Sequence, residues 1–263
     1  MKKRNFTLVE LVVVLVIFAV FAAVLNPAVN TKRVKALDTA CRNNLKQCAL
    51  AAHTYADSYG DTVVVSGGRG FYHWANFYGT KAPGFFKLDK YMVGNAPQYW
   101  SSIVSCPAAV APARDAQMGS HTYGMVNFRA YGASAKVRRW KGNGYYDAAL
   151  GDPWRSGKTA AEAYLKLTAI KNASEFILYA DSAWAAKSKK ADGYGPYPGQ
   201  DVNAFYIHAD WSGSSFGIAL RHENRSNIAM ADGHVTSRSK ADHKDALMHI
   251  HSGVDGNGVY TGF

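Results

Sequence analysis

The stretch Lys2–Leu25, KKRNFTLVELVVVLVIFAVFAAVL, constrains this chain more than any other. Three basic residues, Lys2, Lys3 and Arg4, precede Phe6–Leu25, in which only Thr7 and Glu10 are polar. A helix of that length rises about 30 Å, the thickness of a bilayer's hydrocarbon core. Basic residues ahead of the run keep that end cytoplasmic and send the remainder outside. A cleaved secretory signal fits poorly, because such signals have a shorter apolar core and a small-residue cut site. Here Asn26, Pro27, Ala28 and Val29 follow the run. Glu10 is the anomaly. A carboxylate at bilayer depth costs about 2.5–3.5 kcal/mol on insertion scales and marks function. The other reading is a plain anchor that tolerates a Glu near its end.

The helical pattern continues past the apolar run. Val34, Leu37, Cys41, Leu45, Cys48, Ala52, Tyr55 and Tyr59 recur at steps of three and four, one continuous helical face. Lys32, Arg33, Lys35, Arg42, Asn43, Lys46 and Gln47 lie mainly off that stripe. Gly60-Asp61 closes the segment. The expectation is one helix from Phe6 to about Tyr59, bent at Pro27.

The segment Lys3-Arg4-Asn5-Phe6-Thr7-Leu8-Val9-Glu10-Leu11 resembles the processing motif of type IV pilins and type II secretion pseudopilins. The resemblance implies that a prepilin peptidase cuts between Asn5 and Phe6 and methylates the new amine. Glu10 then becomes the fifth residue of the mature chain, and in a filament it pairs with a neighbouring subunit's N-terminal amine. Such a partner is what a buried charge demands. The family usually has Gly before the Phe, where this chain has Asn5. The fold implied is α+β and pilin-like, a long N-terminal helix with a transmembrane first half, packed on a C-terminal antiparallel β-sheet domain. The corresponding divisions are a leader (1–5), a transmembrane or filament-core helix (6–29), its amphipathic continuation (30–60) and an extracytoplasmic α+β domain (61–263).

The chain after the anchor is long enough for one domain with its own core. Sixteen Tyr and six Trp suit a β-rich exported domain. Of the net charge of +11, the leader carries three, leaving +8. A basic exterior of this kind is either a solvated face or a surface for anionic polysaccharide, nucleic acid or lipid. An exported domain can form disulfides. Cys41 and Cys48 are about 10 Å apart along one helix, too far to bond to each other. Either could reach Cys106, and Cys41–Cys106 is the expected pair, with Cys48 a buried thiol. Its loop would contribute roughly 4 kcal/mol by loop entropy. The alternative is three reduced core thiols.

Further along, Gly67-Gly68-Arg69-Gly70 lacks the Lys-Ser/Thr of a phosphate loop and reads as a loop. Ser102–Cys106 and Tyr123–Phe128 read as strands, Thr159–Leu167 as a short helix, Glu175–Ala180 as a strand and 183–200 as a long surface loop. Lys136-Val137-Arg138-Arg139-Trp140-Lys141 is the densest basic cluster. Arg138, Arg139 and Trp140 are candidate ligand-binding residues, since Arg and Trp stack on bases or sugars. Phe216–Leu220 reads as a strand, and Asn227–Ala231 and His234–Ser237 as a hairpin across a two-residue type I′ Asp232-Gly233 turn.

This last region resembles a second pattern. His222, nine residues, then Asp232-Gly233 is similar to the signature of a large group of bacterial pseudopilin-like proteins. Cys41-Arg42-Asn43-Asn44-Leu45-Lys46-Gln47, Cys106-Pro107, Tyr123-Gly124 and Ala180-Asp181-Ser182 match shorter pieces in the expected order. Here His222, Asp232 and Gly233 are read as structural. A Ca²⁺ site is a weaker reading, with Asp181 and Asp232 as ligands. His249-Ile250-His251 and Asp255-Gly256-Asn257-Gly258 are incomplete as Zn²⁺ and Ca²⁺ patterns. No Ser-His-Asp or paired-carboxylate motif stands out, and a hydrolase built on His222 and Asp232 is the weakest reading. The expectation is therefore a non-enzymatic, single-pass inner-membrane subunit with its N-terminus cytoplasmic. It would be processed by prepilin peptidase and assemble with like subunits into a type II secretion or type IV pilus-like filament. The alternative is a pilin-anchored surface protein that binds anionic polysaccharide or nucleic acid.

Overall fold

The computed structural model describes residues 7–67, 89–93, 96–100, 102–104, 106–108, 123–127, 148–156, 162–186, 204–206, 214–244, 248, 250, 252–254 and 260–262. The first element, α1, runs Leu8–Ser58, 51 residues without interruption. It starts two residues later than the expected Phe6, and the reason is local. Thr7 is extended and caps the helix, with Glu10 reciprocating in a capping box. At the other end the Asp61 N–H donates to the Ala56 carbonyl, 2.8 Å, and Gly60 has a φ of +67°. This six-to-one closure with a left-handed Gly stops the helix where Gly60-Asp61 is read as its end.

Two halves of α1 differ in what covers them. Every large apolar side chain described from Leu8 to Phe21 is exposed, from 40% at Val14 to 77% at Leu8. Consecutive positions 100° apart cover the whole circumference, so this half is apolar all round. The apolar side chains described there reach Phe21 and Ala23, and among the described residues no helix is long and apolar enough to cross a membrane. In the second half Cys41, Leu45, Cys48, Ala49, Ala52, Tyr55 and Ala56 are buried. The stripe is shorter than its spacing implies. Val34 and Tyr59 are exposed, although Tyr59 stacks on Tyr55 at 4.2 Å between ring centres.

The strands are β1 (Thr62–Gly67), β2 (Asp89–Val93), β3 (Ala96–Trp100), β4 (Tyr123–Asn127), β5 (Trp154–Ser156), β6 (Glu162–Lys166) and β7 (Ile177–Ala186). They continue with β8 (Ala204–Tyr206), β9 (Ser214–Ala219), β10 (Arg225–Met230), β11 (Val235–Ser239), β12 (Ser252–Val254) and β13 (Tyr260–Gly262). β1, β6 and β5 form a three-stranded antiparallel sheet, and β2 and β3 a two-stranded one. The large sheet has eight strands centred on β7. It is mixed, since β12 runs parallel to β9 and β8 parallel to β4. β10 pairs with the first half of β7 and β9 with its second half, both antiparallel. The chain between them, Leu220–Asn224, leaves the sheet and returns through a tight turn. Residues of α1, β7 and β10 share one core with Val63, Leu165, Leu150 and Ile250.

Several local expectations are overturned. Glu162–Lys166 is a strand, not part of a helix, because it is the middle strand of its sheet and Leu165 is fully buried there. Ser102–Val104 is a short 3-10 turn rather than a strand. The Cys48 thiol meets the Ile103 carbonyl at 3.5 Å, fixing that turn on the helix. β7 continues through Ala183–Ala186, where a loop is expected. The Asp232-Gly233 connection is not a two-residue type I′ turn. The Gly233 N–H donates to the Met230 carbonyl and the Met230 N–H to the His234 carbonyl, both at 2.9 Å. Gly233 has positive φ and Asp232 does not, so this is a three-residue loop with a left-handed Gly. The tight turn with two positive-φ residues lies instead at Glu223 (53°) and Asn224 (60°). It is closed by reciprocal His222–Arg225 backbone bonds of 3.0 and 2.9 Å. Residues 138–140, 249, 251 and 255–258 lie outside the described residues.

After β11, Ser239 and Asp242 form a capping box for the short helix α2 (Lys240–Lys244), with bonds of 2.7 and 2.8 Å to the Asp242 carboxylate. This packs His243 into the interior, fully buried, with its Nε2 2.6 Å from the Ser226 hydroxyl.

Two glycines of positive φ should respond differently to Ala. A Cβ at Gly60 meets nothing, so Gly60→Ala should cost only the backbone term, about 1 kcal/mol. At Gly151 a Cβ would lie 2.2 Å from the Ala169 carbonyl oxygen. Gly151→Ala should cost about 3 kcal/mol or more in urea unfolding of the full chain. Equal costs for the two would be the contrary result. His243 gives a pH prediction. Burial, then the charge of Arg238, push its imidazole down to about 3. The unfolded chain therefore binds the proton first, and stability present above about 6.5 is lost as pH falls toward 3. Between pH 6.5 and 5 the loss should be about 2 kcal/mol, and His243→Asn should flatten it.

Candidate functional site

Two regions carry the candidate functional residues, and α1 joins them. At its start, the Glu10 Oε2 accepts from the Thr7 N–H and from the Thr7 hydroxyl, both at 2.8 Å. The Thr7 Oγ1 in turn accepts from the Glu10 N–H at 3.3 Å. Glu10 is exposed, beside apolar side chains that are themselves exposed. Asn5 and Phe6 lie outside the described residues.

The second region lies where the Leu220–Asn224 excursion folds against α1. Buried polar groups concentrate here: Asp181, Ser182, His222, Ser226 and Asn227. Each is positioned by an element with a reason to be there. Asp181 stands midway along β7, where pairing passes from β10 to β9, and it binds Arg221 in a buried ion pair. Asp38, Arg42 and Lys46 follow one another at steps of four along one edge of α1. The Asp38 Oδ1 accepts from the Asn227 amide at 2.8 Å and faces the His222 Nδ1 at 3.4 Å. Its Oδ2 meets the Arg42 Nε at 3.0 Å. The Lys46 ammonium donates to the Gly233 carbonyl at 2.6 Å, at the far end of β10. Polar residues beside the helix stripe thus fasten both ends of one strand.

Against the other face of His222 stand two sulfurs. The His222 Nε2 is 3.3 Å from the Cys106 Sγ. Cys41, one helical turn from Asp38, is hydrogen-bonded to Cys106. The ligand atoms of Cys41, Cys106 and His222 all lie within 4.8 Å of one another, and all three residues are buried. No disulfide joins Cys41, Cys48 or Cys106. The expected Cys41–Cys106 bond is absent, and the imidazole stands in contact with the Cys106 sulfur instead. Cys48 lies apart on the Ile103 carbonyl, and burial pushes its thiol up. The Cys106 thiol is pushed up too, by its bond to Cys41, by burial and by the Asp181 charge. For His222, burial presses the imidazole down, but Cys41, Asp181 and Asp38 outweigh it and hold it above its ordinary value.

Asp232 and His234 stand away from His222 and Asp181. His222 precedes β10 and Asp232 follows it, and that strand is about 17 Å long at its rise per residue. Asp232 closes the loop locally, accepting from the His234 N–H at 3.0 Å and meeting the His234 Nδ1 at 2.6 Å. Burial opposes its ionisation, but these His234 contacts hold its carboxyl below the usual range. Asp181 is paired with Arg221 through Oδ1, while Asp232 is bonded to His234 beyond the other end of β10. The geometry instead brings together Cys41, Cys106 and His222, a grouping that no spacing in the chain announces.

Residues 1–26 match the family model of the prokaryotic N-terminal methylation motif. No curated protein and no solved structure matches the chain. The match supports a prepilin-type N-terminus of the type IV pilin-like class, a substrate for prepilin peptidase with an N-terminal membrane anchor.

The fastening of β10 gives a graded prediction. Lys46→Ala removes one charge-assisted bond and should cost about 1.5 kcal/mol. Asp38→Ala strips partners from Asn227, His222 and Arg42 together and should cost about 3 kcal/mol. Thermal or urea unfolding of the full chain measures both. A larger loss in Lys46→Ala than in Asp38→Ala would contradict this ranking.

Proposed function

We propose that this chain is a non-enzymatic, filament-forming pseudopilin-like subunit of a type II secretion or type IV pilus-like machine, of the group bearing the His-x9-Asp-Gly pattern. The observation that carries the reading is the division of α1. One helix carries a prepilin-type motif and an apolar half exposed on every side, and it continues into a half whose buried stripe belongs to the domain core. A uniformly apolar half in water would aggregate; it belongs in lipid or in a bundle of like helices. Before assembly it would lie in the inner membrane as a single span, with the sheet domain outside. On assembly the same surface would pack against other subunits' helices without refolding.

Glu10 fits this role in chemical detail. Within the chain it is partnered through Oε2 by Thr7, which lowers the cost of placing a carboxylate in an apolar segment. Oε1 takes no part in the capping box. A neighbour's N-terminal amine would meet it there, setting the axial register of the filament. The sheet domain would supply lateral contacts or ligand binding outside.

The test is the mass and N-terminal sequence of the chain purified from membranes of cells with and without prepilin peptidase. The expected product begins at N-methylated Phe6, and only where the peptidase is present. A chain beginning beyond Ala28 would replace the filament reading with an ordinary secretory signal. An intact Met1 in both strains would leave a simple anchor and remove the processing step.

A further inference from the structure

We propose that Cys41, Cys106 and His222 form a buried soft-metal site that holds one monovalent copper ion through two thiolate sulfurs and one imidazole nitrogen. Three separate parts of the chain build it: the second half of α1, the segment after the Ser102–Val104 turn, and the turn before β10. Among the described residues it is the one place where three metal-ligating side chains converge, with ligand atoms within 4.8 Å of one another. A metal bonded at roughly 2.0–2.3 Å to sulfur and nitrogen sets its ligands about 3.5–4 Å apart. The Cys106 Sγ to His222 Nε2 distance of 3.3 Å is close to this, so small side-chain rotations open the triangle.

The surroundings of His222 are those of a ligand. Its Nδ1 faces the Asp38 carboxylate at 3.4 Å, which leaves Nε2 for the metal. A carboxylate on the far nitrogen fixes the tautomer and ring plane of a metal-bound histidine and raises its basicity. Asp38 is itself held by Asn227 and Arg42, so the orientation is braced twice. The ligand chemistry selects the ion. Two thiolates and an imidazole are soft to borderline donors and exclude Ca²⁺ and Mg²⁺. A structural Zn²⁺ takes four protein ligands and a catalytic one keeps an open position for water. Here, among the described residues, the ligands number three, and all are buried in the core. Monovalent copper is soft, d¹⁰ and satisfied by three such donors. The site is independent of filament assembly, since none of its residues lies in the exposed half of α1.

The experiment uses the full-length chain in detergent, reduced and anaerobic, titrated with Cu⁺ against the chromogenic chelator bathocuproine disulfonate. One Cu⁺ per chain should be held. Binding should be lost in Cys41→Ser, Cys106→Ser and His222→Asn, and unchanged in Cys48→Ser, whose thiol is outside the triangle. Asp38→Asn should weaken it by about 10–100-fold, as loss of a carboxylate behind a ligating histidine does. Near-ultraviolet circular dichroism checks that each variant is folded. X-ray absorption of the wild-type complex, which needs no variant, should show two sulfurs and one nitrogen around copper. Failure of the wild type to hold Cu⁺, or equal binding without Cys41 and Cys106, overturns the proposal. So does a native chain lighter by two hydrogens with its Cys41 and Cys106 peptides linked. Retention of Zn²⁺ but not Cu⁺ overturns the assignment to copper.

Discussion

The docking of α1 on β10 and β7 is the constraint on which the rest depends. A 51-residue helix has no stability of its own to spare once half of it is apolar on every side. What holds it is a stripe of mostly small residues, Cys41, Cys48, Ala49, Ala52 and Ala56, with Leu45 and Tyr55, fully or almost fully buried. Small side chains let the helix lie close to the sheet, and close approach lets short polar groups reach across. Asp38 to Asn227 and Lys46 to Gly233 are bonds of this kind. They tie the helix to opposite ends of one strand and so fix both its position and its rotation. Rotation matters, because it decides that Cys41 faces Cys106 and His222 while Arg42 faces outward.

The same constraint explains why the sheet is irregular where it is. β7 changes partner at Asp181, from β10 to β9, and a chain that simply continued would carry Arg221 and His222 along the sheet. The left-handed pair Glu223-Asn224 turns them out of it instead. Glu at positive φ carries a backbone cost that Gly or Asn would reduce. That cost is borne at the turn which places Arg221 on Asp181 and His222 between Asp38 and Cys106. Local strain beside a buried polar cluster is the ordinary mark of a position set by its side-chain contacts rather than by its own preference.

Much of this was legible in the chain. The long helix, its end at Gly60-Asp61 and the strands at β4, β7, β9, β10 and β11 follow from periodicity and turn chemistry. Thr7-Leu8-Val9-Glu10 is also a readable capping box, and the apolar run that follows draws attention away from it. Other features were not readable. Glu162–Lys166 has helix-compatible residues and becomes a strand only because β1 and β5 flank it. The type I′ turn sits at Glu-Asn rather than at Asp-Gly, since tertiary contacts and not local preference chose the place. Cys41, Cys106 and His222 are far apart in sequence and share no ligand spacing, so only the fold could group them.

The two halves of α1 therefore impose opposite demands on one element. In the proposed filament the first half would pass between lipid and neighbouring helices, which suits its uniformly apolar side chains and a single charge partnered locally by Thr7. The second half must not move at all relative to β10, so its contacts are specific, polar and buried. A helix is the one backbone form that satisfies both, because its hydrogen bonds are internal and do not change with what surrounds it. Any pull on the exposed half would be transmitted along the helix axis to Asp38 and Cys41. The buried cluster sits at the first turns that the sheet domain grips. In the proposed filament it lies where axial load passes from the helical core into the outer domain, and cross-linking three chain segments there would resist that load best.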